Sequence, residues 1–169
     1  MNDTVSEVLA RLNELGIRYE LIEHEPLSSM EECKKSEAHF GAVMPKNLFL
    51  TTRRQGGLYL FVTRPDIPFS AGVVSRQAGT SRLCFADDEA LYENLRTRPG
   101  SISPLGLMFD REKKVRLLLD KALKEEEKLI FHPCDNRYSL CMQTGDFLNT
   151  FLKSLSVEPL YIDPMLSPT

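Results

Sequence analysis

Long apolar segments are absent from this sequence. No apolar run approaches the roughly 18–20 residues that a helix needs to cross a bilayer, and residues 1–4 (MNDT) lack the basic and then apolar pattern of a signal peptide. We therefore expect a cytoplasmic protein without a membrane partner.

Cysteine and histidine are too few and too scattered to predict a metal site. The four cysteines are Cys33, Cys84, Cys134 and Cys141, and the three histidines are His24, His39 and His132. The cysteines include no CxxC pair and match neither a zinc ligand set nor a dense disulfide framework, and the histidines share no helical face. The sequence predicts reduced, buried thiols, no metal and no cofactor.

Common catalytic signatures and a surplus of positive charge are also missing. The chain has no GxSxG elbow, Walker loop, GxGxxG, HExxH or EF-hand loop. Its net charge of −3 argues against coating long stretches of nucleic acid, which needs many Lys and Arg contacts to phosphates. We expect no DNA partner, whereas binding of a single nucleotide end stays open.

The composition is that of one ordinary globular domain. Hydrophobic residues make up 42% of the 169 residues and charged residues 27%, close to the average for soluble domains. A chain of this length buries about two-thirds of its unfolded surface in one core. We expect a single domain over residues 1–169.

Periodicity predicts interspersed helices and strands. A helix is expected from the apolar positions between Val5 and Leu15, with Asp3 or Thr4 as its cap and its end near Gly16. Further helices are predicted over residues 30–36, 70–78, 87–95, 121–128 and 144–155, the last capped by Thr144. Strands are predicted over residues 17–23, 46–52, 58–63, 82–86, 114–119, 129–132, 138–142 and 158–162.

The clearest sheet signal is a hairpin. Residues 46–52 (KNLFLTT) and 58–63 (LYLFVT) are apolar and aromatic, and a loop with two glycines joins them. Because the order of elements shows no strict βαβ rhythm, the predicted fold class is α/β in the broad sense (α+β). We expect a mixed, mostly antiparallel sheet with helices packed around it.

Three segments place polar residues in constrained surroundings. Lys46 and Asn47 open an apolar strand, where the ammonium would be partly desolvated and act as a point charge. The loop from Gly100 to Pro104 has a glycine that permits close backbone approach and amides that suit an oxyanion. His132 and Asn136 lie in a third segment, FHPCDN. Local patterns alone do not separate a site from ordinary loops.

Taken in order, these segments resemble a known family. PKNLFL (45–50), FADDEAL (85–91), PGSISPLGL (99–107), KVRLLLD (114–120) and FHPCDN (131–136) are similar to the freestanding prolyl-tRNA editing proteins. These proteins are relatives of the YbaK family and of the editing domain inserted in bacterial prolyl-tRNA synthetases. The resemblance runs from about residue 4 to 159, and the KNLFL form is typical of the alanine-removing branch.

The resemblance implies a trans-editing hydrolase that cleaves the aminoacyl ester of mischarged tRNA(Pro), with Ala-tRNA(Pro) as the expected substrate. It implies Lys46 and Asn47 as catalytic residues. The implied substrate-binding residues are Gly100, Ser101, Ile102, Ser103, Pro104, His132 and Asn136. The expected partners are the acceptor end of tRNA(Pro) and, second, prolyl-tRNA synthetase.

Alternatives stay open at this stage. The hydrolase would remove cysteine or another small residue from the same tRNA, or the chain would be a tRNA- or synthetase-binding module without chemistry. Lys46 would act either as a charge that holds the tRNA end or as a general base. The sequence departs from the family's pattern at Val43-Met44-Pro45 and at Arg137-Tyr138. The second departure predicts a bulky cation and a phenol near the pocket.

Overall fold

The strands of the computed structural model divide into two sheets rather than the single sheet expected. The structure describes residues 1–27, 29–54 and 56–167, so Gln55, in the predicted hairpin loop, lies outside the described residues. Over this part of the chain the strands are β1 Tyr19–Glu23, β2 Lys46–Thr52, β3 Leu58–Thr63, β4 Leu83–Phe85, β5 Val115–Asp120, β6 Lys128–Phe131, β7 Tyr138–Gln143 and β8 Leu160–Ile162.

The pairing is mixed and mostly antiparallel, as the sequence predicts. One sheet has the order β1-β7-β6 and is antiparallel throughout. The other has the order β4-β2-β3-β5-β8, in which β2 pairs antiparallel with β3 and β4, whereas β5 pairs parallel with β3 and β8. A parallel bridge between Val43 and Leu129 connects the two sheets just before β2 and within β6.

Helices cover the sheets and close the core. They are α1 Asp3–Glu14, α2 Met30–Phe40, α3 Ala71–Ala78, α4 Asp88–Leu95 and α5 over residues 144–154. Short 3-10 helices occupy Pro104–Phe109 and Lys121–Glu125. Within α5 a π-helical turn, Phe147–Phe151, separates two α-helical turns, and its two phenylalanines are fully buried.

The largest core lies between the two sheets, α1 and α5. It includes Leu12 of α1, Leu60 of β3, Leu117 of β5, Phe131 of β6 and Phe151 of α5, each at most 1% exposed. A smaller core on the other face of the five-stranded sheet joins β2, β3 and β5 to α3 and β8. The alternation of buried side chains along β2 and β3 therefore serves two apolar layers at once.

Several predicted boundaries are wrong for local reasons. Asn2 rather than Asp3 or Thr4 caps α1, because its Oδ1 accepts from the Val5 amide at 2.8 Å. Thr144 does not cap α5, and its buried hydroxyl has no partner among the described residues. The predicted helix over residues 121–128 is only a 3-10 turn that ends at Glu125, since Lys128 already pairs with Gln143 in the sheet. Helix α2 runs four residues further than predicted, to Phe40.

Candidate functional site

A cleft of about 290 Å³ opens where β2 begins, and we call it the Lys46 cleft. Of the residues singled out in the sequence, Lys46, Asn47, Gly100, Ile102 and His132 line it. Residues outside the predicted set of site residues complete the lining: Cys33, Lys34, Glu37, Met44, Pro45, Pro65, Asp66, Ile130 and Phe131. The volume is at the lower end of the roughly 300–1,000 Å³ typical of small-molecule sites.

Lys46 lines this cleft, and its ammonium makes one hydrogen bond to the protein. Its Nζ donates a hydrogen bond to the carbonyl of Ile67, in the loop that follows β3. In the part of the chain that the structure describes, no carboxylate lies within 4.0 Å of this Nζ. Because an ammonium has three donors, two remain for a ligand. Lys46 is therefore a half-buried positive charge that is oriented but not neutralised.

Asn47 carries an unpaired polar atom beside Lys46. Its Nδ2 donates to the carbonyl of Pro45 at the long distance of 3.5 Å. Its Oδ1 is buried and has no hydrogen-bond partner among the described residues. Leaving a buried acceptor unpaired costs about 1–3 kcal/mol, so a donor on a bound ligand would be favoured at this position.

The loop from Gly100 to Pro104 borders the cleft through Gly100 and Ile102 only. Gly100 has φ +86°, a conformation that L side chains rarely adopt, which explains the glycine. Among the described residues the amides of Gly100 and Ile102 have no partner, whereas the Ser101 amide donates to the Arg98 carbonyl at 2.9 Å. One of the loop amides that were predicted to suit an oxyanion is thus already engaged.

The remaining loop residues support the backbone and do not line the cleft. The Ser103 hydroxyl is fully buried and accepts from the Leu105 amide at 3.1 Å, and Pro104 opens the 3-10 helix. The Ser101 hydroxyl accepts from the Asn136 amide at 3.1 Å. These contacts fix the shape of the loop.

His132 lines the cleft, and one of its ring nitrogens is already hydrogen-bonded to the backbone. Its Nδ1 donates to the Tyr138 carbonyl at 2.8 Å, which leaves Nε2 as an acceptor in the neutral ring. Burial lowers the pKa of His132 below its ordinary value, although the Tyr138 hydrogen bond opposes the shift. The imidazole is therefore neutral at pH 7.

Asn136 lies behind the cleft rather than in its lining. Its Nδ2 donates to the Leu27 carbonyl at 3.3 Å, and its own carbonyl accepts from the Leu27 amide at 3.2 Å. A Cβ added at Gly100 would lie 3.5 Å from this Nδ2. Asn136 thus joins the chain before α2 to the Gly100 loop.

Helix α2 contributes a wall that sequence reasoning missed. Cys33, Lys34 and Glu37 line the cleft, and the Glu37 carboxylate accepts from the Met44 amide at 3.0 Å. The pattern of residues 30–36 predicted a helix, but no feature of it indicated which strand it would cover. This long-range contact had no local signal.

The expectation about Arg137 and Tyr138 is wrong. The Arg137 guanidinium pairs with Asp135 at 2.6 Å, in a different depression that it shares with Arg96 and Arg98. Tyr138 is 6% exposed and does not line the Lys46 cleft. The Tyr138 side chain is buried, and its backbone carbonyl accepts from His132 Nδ1 at 2.8 Å.

Among the described residues there is neither a metal-binding cluster nor a membrane-spanning helix. No group of three or more His, Cys, Asp or Glu in this part of the chain is arranged to hold a metal ion. No helix in it is long and apolar enough to cross a membrane.

Comparison with known proteins identifies the family. A model of the aminoacyl-tRNA editing domain matches residues 24–150, which include every candidate site residue. The chain belongs to the aminoacyl-tRNA editing domain family. The match begins at His24, before α2, and ends at Thr150 within α5, so both walls of the Lys46 cleft lie inside the family's domain.

Relatives of similar length support the assignment. A prolyl-tRNA editing protein ProX from Acetoanaerobium sticklandii is 31% identical over 144 residues, covering 85% of this chain and 88% of the relative. A prolyl-tRNA synthetase associated domain-containing protein 1 from Xenopus laevis is 34% identical over 164 residues, covering 95% and 96%. A solved structure described as a candidate trans-editing enzyme for prolyl tRNA synthetase shares the fold, with a TM-score of 0.71, 18% identity and coverage of 96% and 97%.

Proposed function

We propose that this editing domain is a freestanding deacylase that hydrolyses the aminoacyl ester of mischarged tRNA(Pro), with Ala-tRNA(Pro) as its substrate. The observation that carries the proposal is the convergence of Lys46, Asn47, Gly100 and His132 on one cleft of limited size. The names of the relatives, a prolyl-tRNA editing protein among them, support proline tRNA as the carrier.

The chemistry asks little of the protein, because an aminoacyl ester is already activated toward water. Positioning the ester and stabilising the developing oxyanion provide most of the acceleration. The free donors of Lys46 bind the terminal adenosine's phosphate or the ester carbonyl. The unpaired amides of Gly100 and Ile102 complete the electrostatic site, and the vicinal ribose hydroxyl helps to orient the attacking water.

His132 and Asn47 supply acceptors for the substrate's own donors. The neutral imidazole presents Nε2, which accepts a hydrogen bond from a ribose hydroxyl, an amino group or the attacking water. The buried Oδ1 of Asn47 gains the partner that it lacks in the free protein. A substrate with several N–H and O–H groups around a small apolar side chain fits this set.

The selection of alanine rests on size. Met44, Ile102, Ile130 and Phe131 make part of the cleft wall apolar. A synthetase pocket built for proline cannot fully reject the smaller alanine, because losing a few methylenes changes binding by only about 1–3 kcal/mol. A second pocket that admits alanine and excludes proline corrects this error.

The test is hydrolysis of Ala-tRNA(Pro) under single-turnover conditions by the wild type, Lys46→Ala and Lys153→Ala. Lys153 is an exposed lysine of α5 outside the cleft, so its loss removes the same charge without touching the site. We expect Lys46→Ala to lose roughly a hundredfold or more in rate and Lys153→Ala to match the wild type. Equal rates for all three proteins would overturn the role of Lys46.

A pH–rate profile separates the two roles of Lys46. A fixed charge takes no part in proton transfer and would add no inflection to the profile. As a general base, Lys46 would have to lose its proton, and the rate would rise with an apparent pKa of an amine. We expect a profile without that inflection.

A further inference from the structure

Asp120 is a buried carboxylate that the proposed chemistry does not use. It is the last residue of β5, and its side chain is fully buried. Its Oδ2 accepts from the Thr63 hydroxyl at 2.9 Å, from the Arg64 amide at 3.1 Å and from Arg64 Nε at 2.8 Å. Its Oδ1 accepts from the Ala122 amide at 3.0 Å and from the second Arg64 nitrogen at 3.4 Å.

The sheet register explains why these groups meet near the cleft. Strands β3 and β5 are parallel, with Val62 opposite Leu119, so both end at the same edge and Thr63 comes beside Asp120. Strand β2 is antiparallel to β3, with Lys46 opposite Thr63. Lys46, Thr63 and Asp120 therefore occupy one row across three neighbouring strands.

The loop that leaves this row holds the lysine. It begins at Arg64, whose backbone and side chain both bind Asp120, and its turn is closed by the Ile67 amide donating to the Arg64 carbonyl at 3.4 Å. The carbonyl of Ile67 accepts from Lys46 Nζ. Pro65 and Asp66, between these two residues, line the cleft.

From these contacts we infer that Asp120 is a positioning residue for Lys46: it anchors the start of the loop over residues 64–67, and so fixes the Ile67 carbonyl that orients the ammonium. The functional consequence rests on the proposed deacylase activity, whereas the structural consequence does not. Burial alone would raise the pKa of Asp120, but the hydrogen bonds from Arg64, Ala122 and Thr63 hold that pKa below its ordinary value. The carboxylate is thus charged at neutral pH, as a strong acceptor must be.

Asp110 provides a matched control at the other end of the same strand. It is 9% exposed, and its carboxylate accepts from the Lys114 amide at 3.0 Å and the Val115 amide at 2.8 Å. It lies outside the Lys46 cleft. Like Asp120→Asn, Asp110→Asn therefore perturbs a buried carboxylate that binds backbone amides next to β5. Unlike Asp120→Asn, it does not reach the loop that holds Lys46.

The experiment compares Asp120→Asn, Asp110→Asn and Arg64→Gln, with thermal unfolding used to confirm that each is folded. Arg64→Gln removes the exposed side of the anchor and keeps the core carboxylate, so it tests the inference even if Asp120→Asn does not fold. The direct readout is the ¹⁵Nζ–¹H signal of Lys46 by NMR, because a hydrogen-bonded ammonium exchanges its protons slowly. We expect this signal in the wild type and Asp110→Asn, and its loss by exchange in Asp120→Asn and Arg64→Gln.

The second readout is hydrolysis of Ala-tRNA(Pro). We expect roughly a tenfold to hundredfold loss of the saturating rate in Asp120→Asn, a smaller loss in Arg64→Gln, and the wild-type rate in Asp110→Asn. An unchanged Lys46 signal in folded Asp120→Asn, or in Arg64→Gln, would overturn the inference. Failure of the wild type to hydrolyse the substrate would instead overturn the proposed function and leave the NMR comparison valid.

Discussion

The imidazole Nδ1 of His132 donates to the carbonyl of Tyr138 at 2.8 Å, across the turn between β6 and β7. Protonation of Nε2 would place a positive charge in a side chain that is only 8% exposed. This arrangement connects the stability of the fold to pH, because the ring must stay neutral to remain buried.

We expect the free energy of unfolding to fall as the pH is lowered from 7 to 5. Burial lowers the pKa of His132 in the folded protein, so the unfolded chain takes up the proton first, below its pKa of about 6.5. In that window the unfolded state binds more protons, and stability therefore rises with pH. His132→Asn, which keeps a donor for Tyr138, should flatten this part of the profile. Urea titrations of the wild type and His132→Asn at pH 7 and pH 5 measure the free energy of unfolding. An equal change in that free energy between the two pH values in both proteins would contradict the assignment.

A second prediction concerns Arg137, which the sequence placed beside the pocket and the structure places elsewhere. Its guanidinium pairs with Asp135 on a separate surface depression. We expect Arg137→Ala to hydrolyse Ala-tRNA(Pro) within about twofold of the wild-type rate at saturation, since surface substitutions away from a site change little. A loss as large as the one expected for Lys46→Ala would show that this depression takes part in the chemistry.

A third prediction uses two glycines. A Cβ at Gly106, in the 3-10 helix, would lie 2.5 Å from the Leu95 carbonyl oxygen, a backbone atom that cannot move freely. Gly106→Ala should cost about 1–3 kcal/mol of stability. Gly72 in α3 has open space around the same position, so Gly72→Ala should be neutral or stabilise by up to about 1 kcal/mol. Equal unfolding midpoints for the two variants would show that the contact at Gly106 relaxes.

A fourth prediction concerns the cysteines, which form no disulfide among the described residues. Burial raises the pKa of Cys134 to about 12, and the thiolate is the reactive form. We expect Cys134 to resist a thiol reagent at pH 8 in the folded protein and to react fully in urea. Mass spectrometry of the labelled peptides distinguishes it from Cys84, which is only half-buried. Rapid labelling of Cys134 in the native protein would contradict the packing.

The hairpin was within reach of the sequence because its signal is local. Residues 46–52 and 58–63 were predicted with the bounds that β2 and β3 have. The fold class and the family were also correct. The position of Lys46 in a cleft follows from the order of segments, since neither its neighbours nor its charge mark it.

The rest depends on contacts between distant residues. Asn2 caps α1 partly because its Nδ2 also binds Asp135, more than a hundred residues away. Sequence alone could not predict the α2 wall, the loop that holds Lys46 or the role of Asp120, because these features depend on the register of three strands. The sequence prediction put Arg137 in the wrong place because a side chain beside the start of a strand can lie on either face of the sheet. Only the pairing of β7 decides between the two faces.

The most direct test of the account is the hydrolysis of three charged forms of tRNA(Pro), carrying alanine, cysteine or proline, by the wild-type protein. We expect rapid loss of Ala-tRNA(Pro), hydrolysis of Cys-tRNA(Pro) at least about tenfold slower, and Pro-tRNA(Pro) left at its spontaneous rate. Faster loss of Cys-tRNA(Pro) would change the amino acid but keep the enzyme class. Survival of Ala-tRNA(Pro) and Cys-tRNA(Pro) at their spontaneous rates would contradict the central claim and favour a binding module without chemistry.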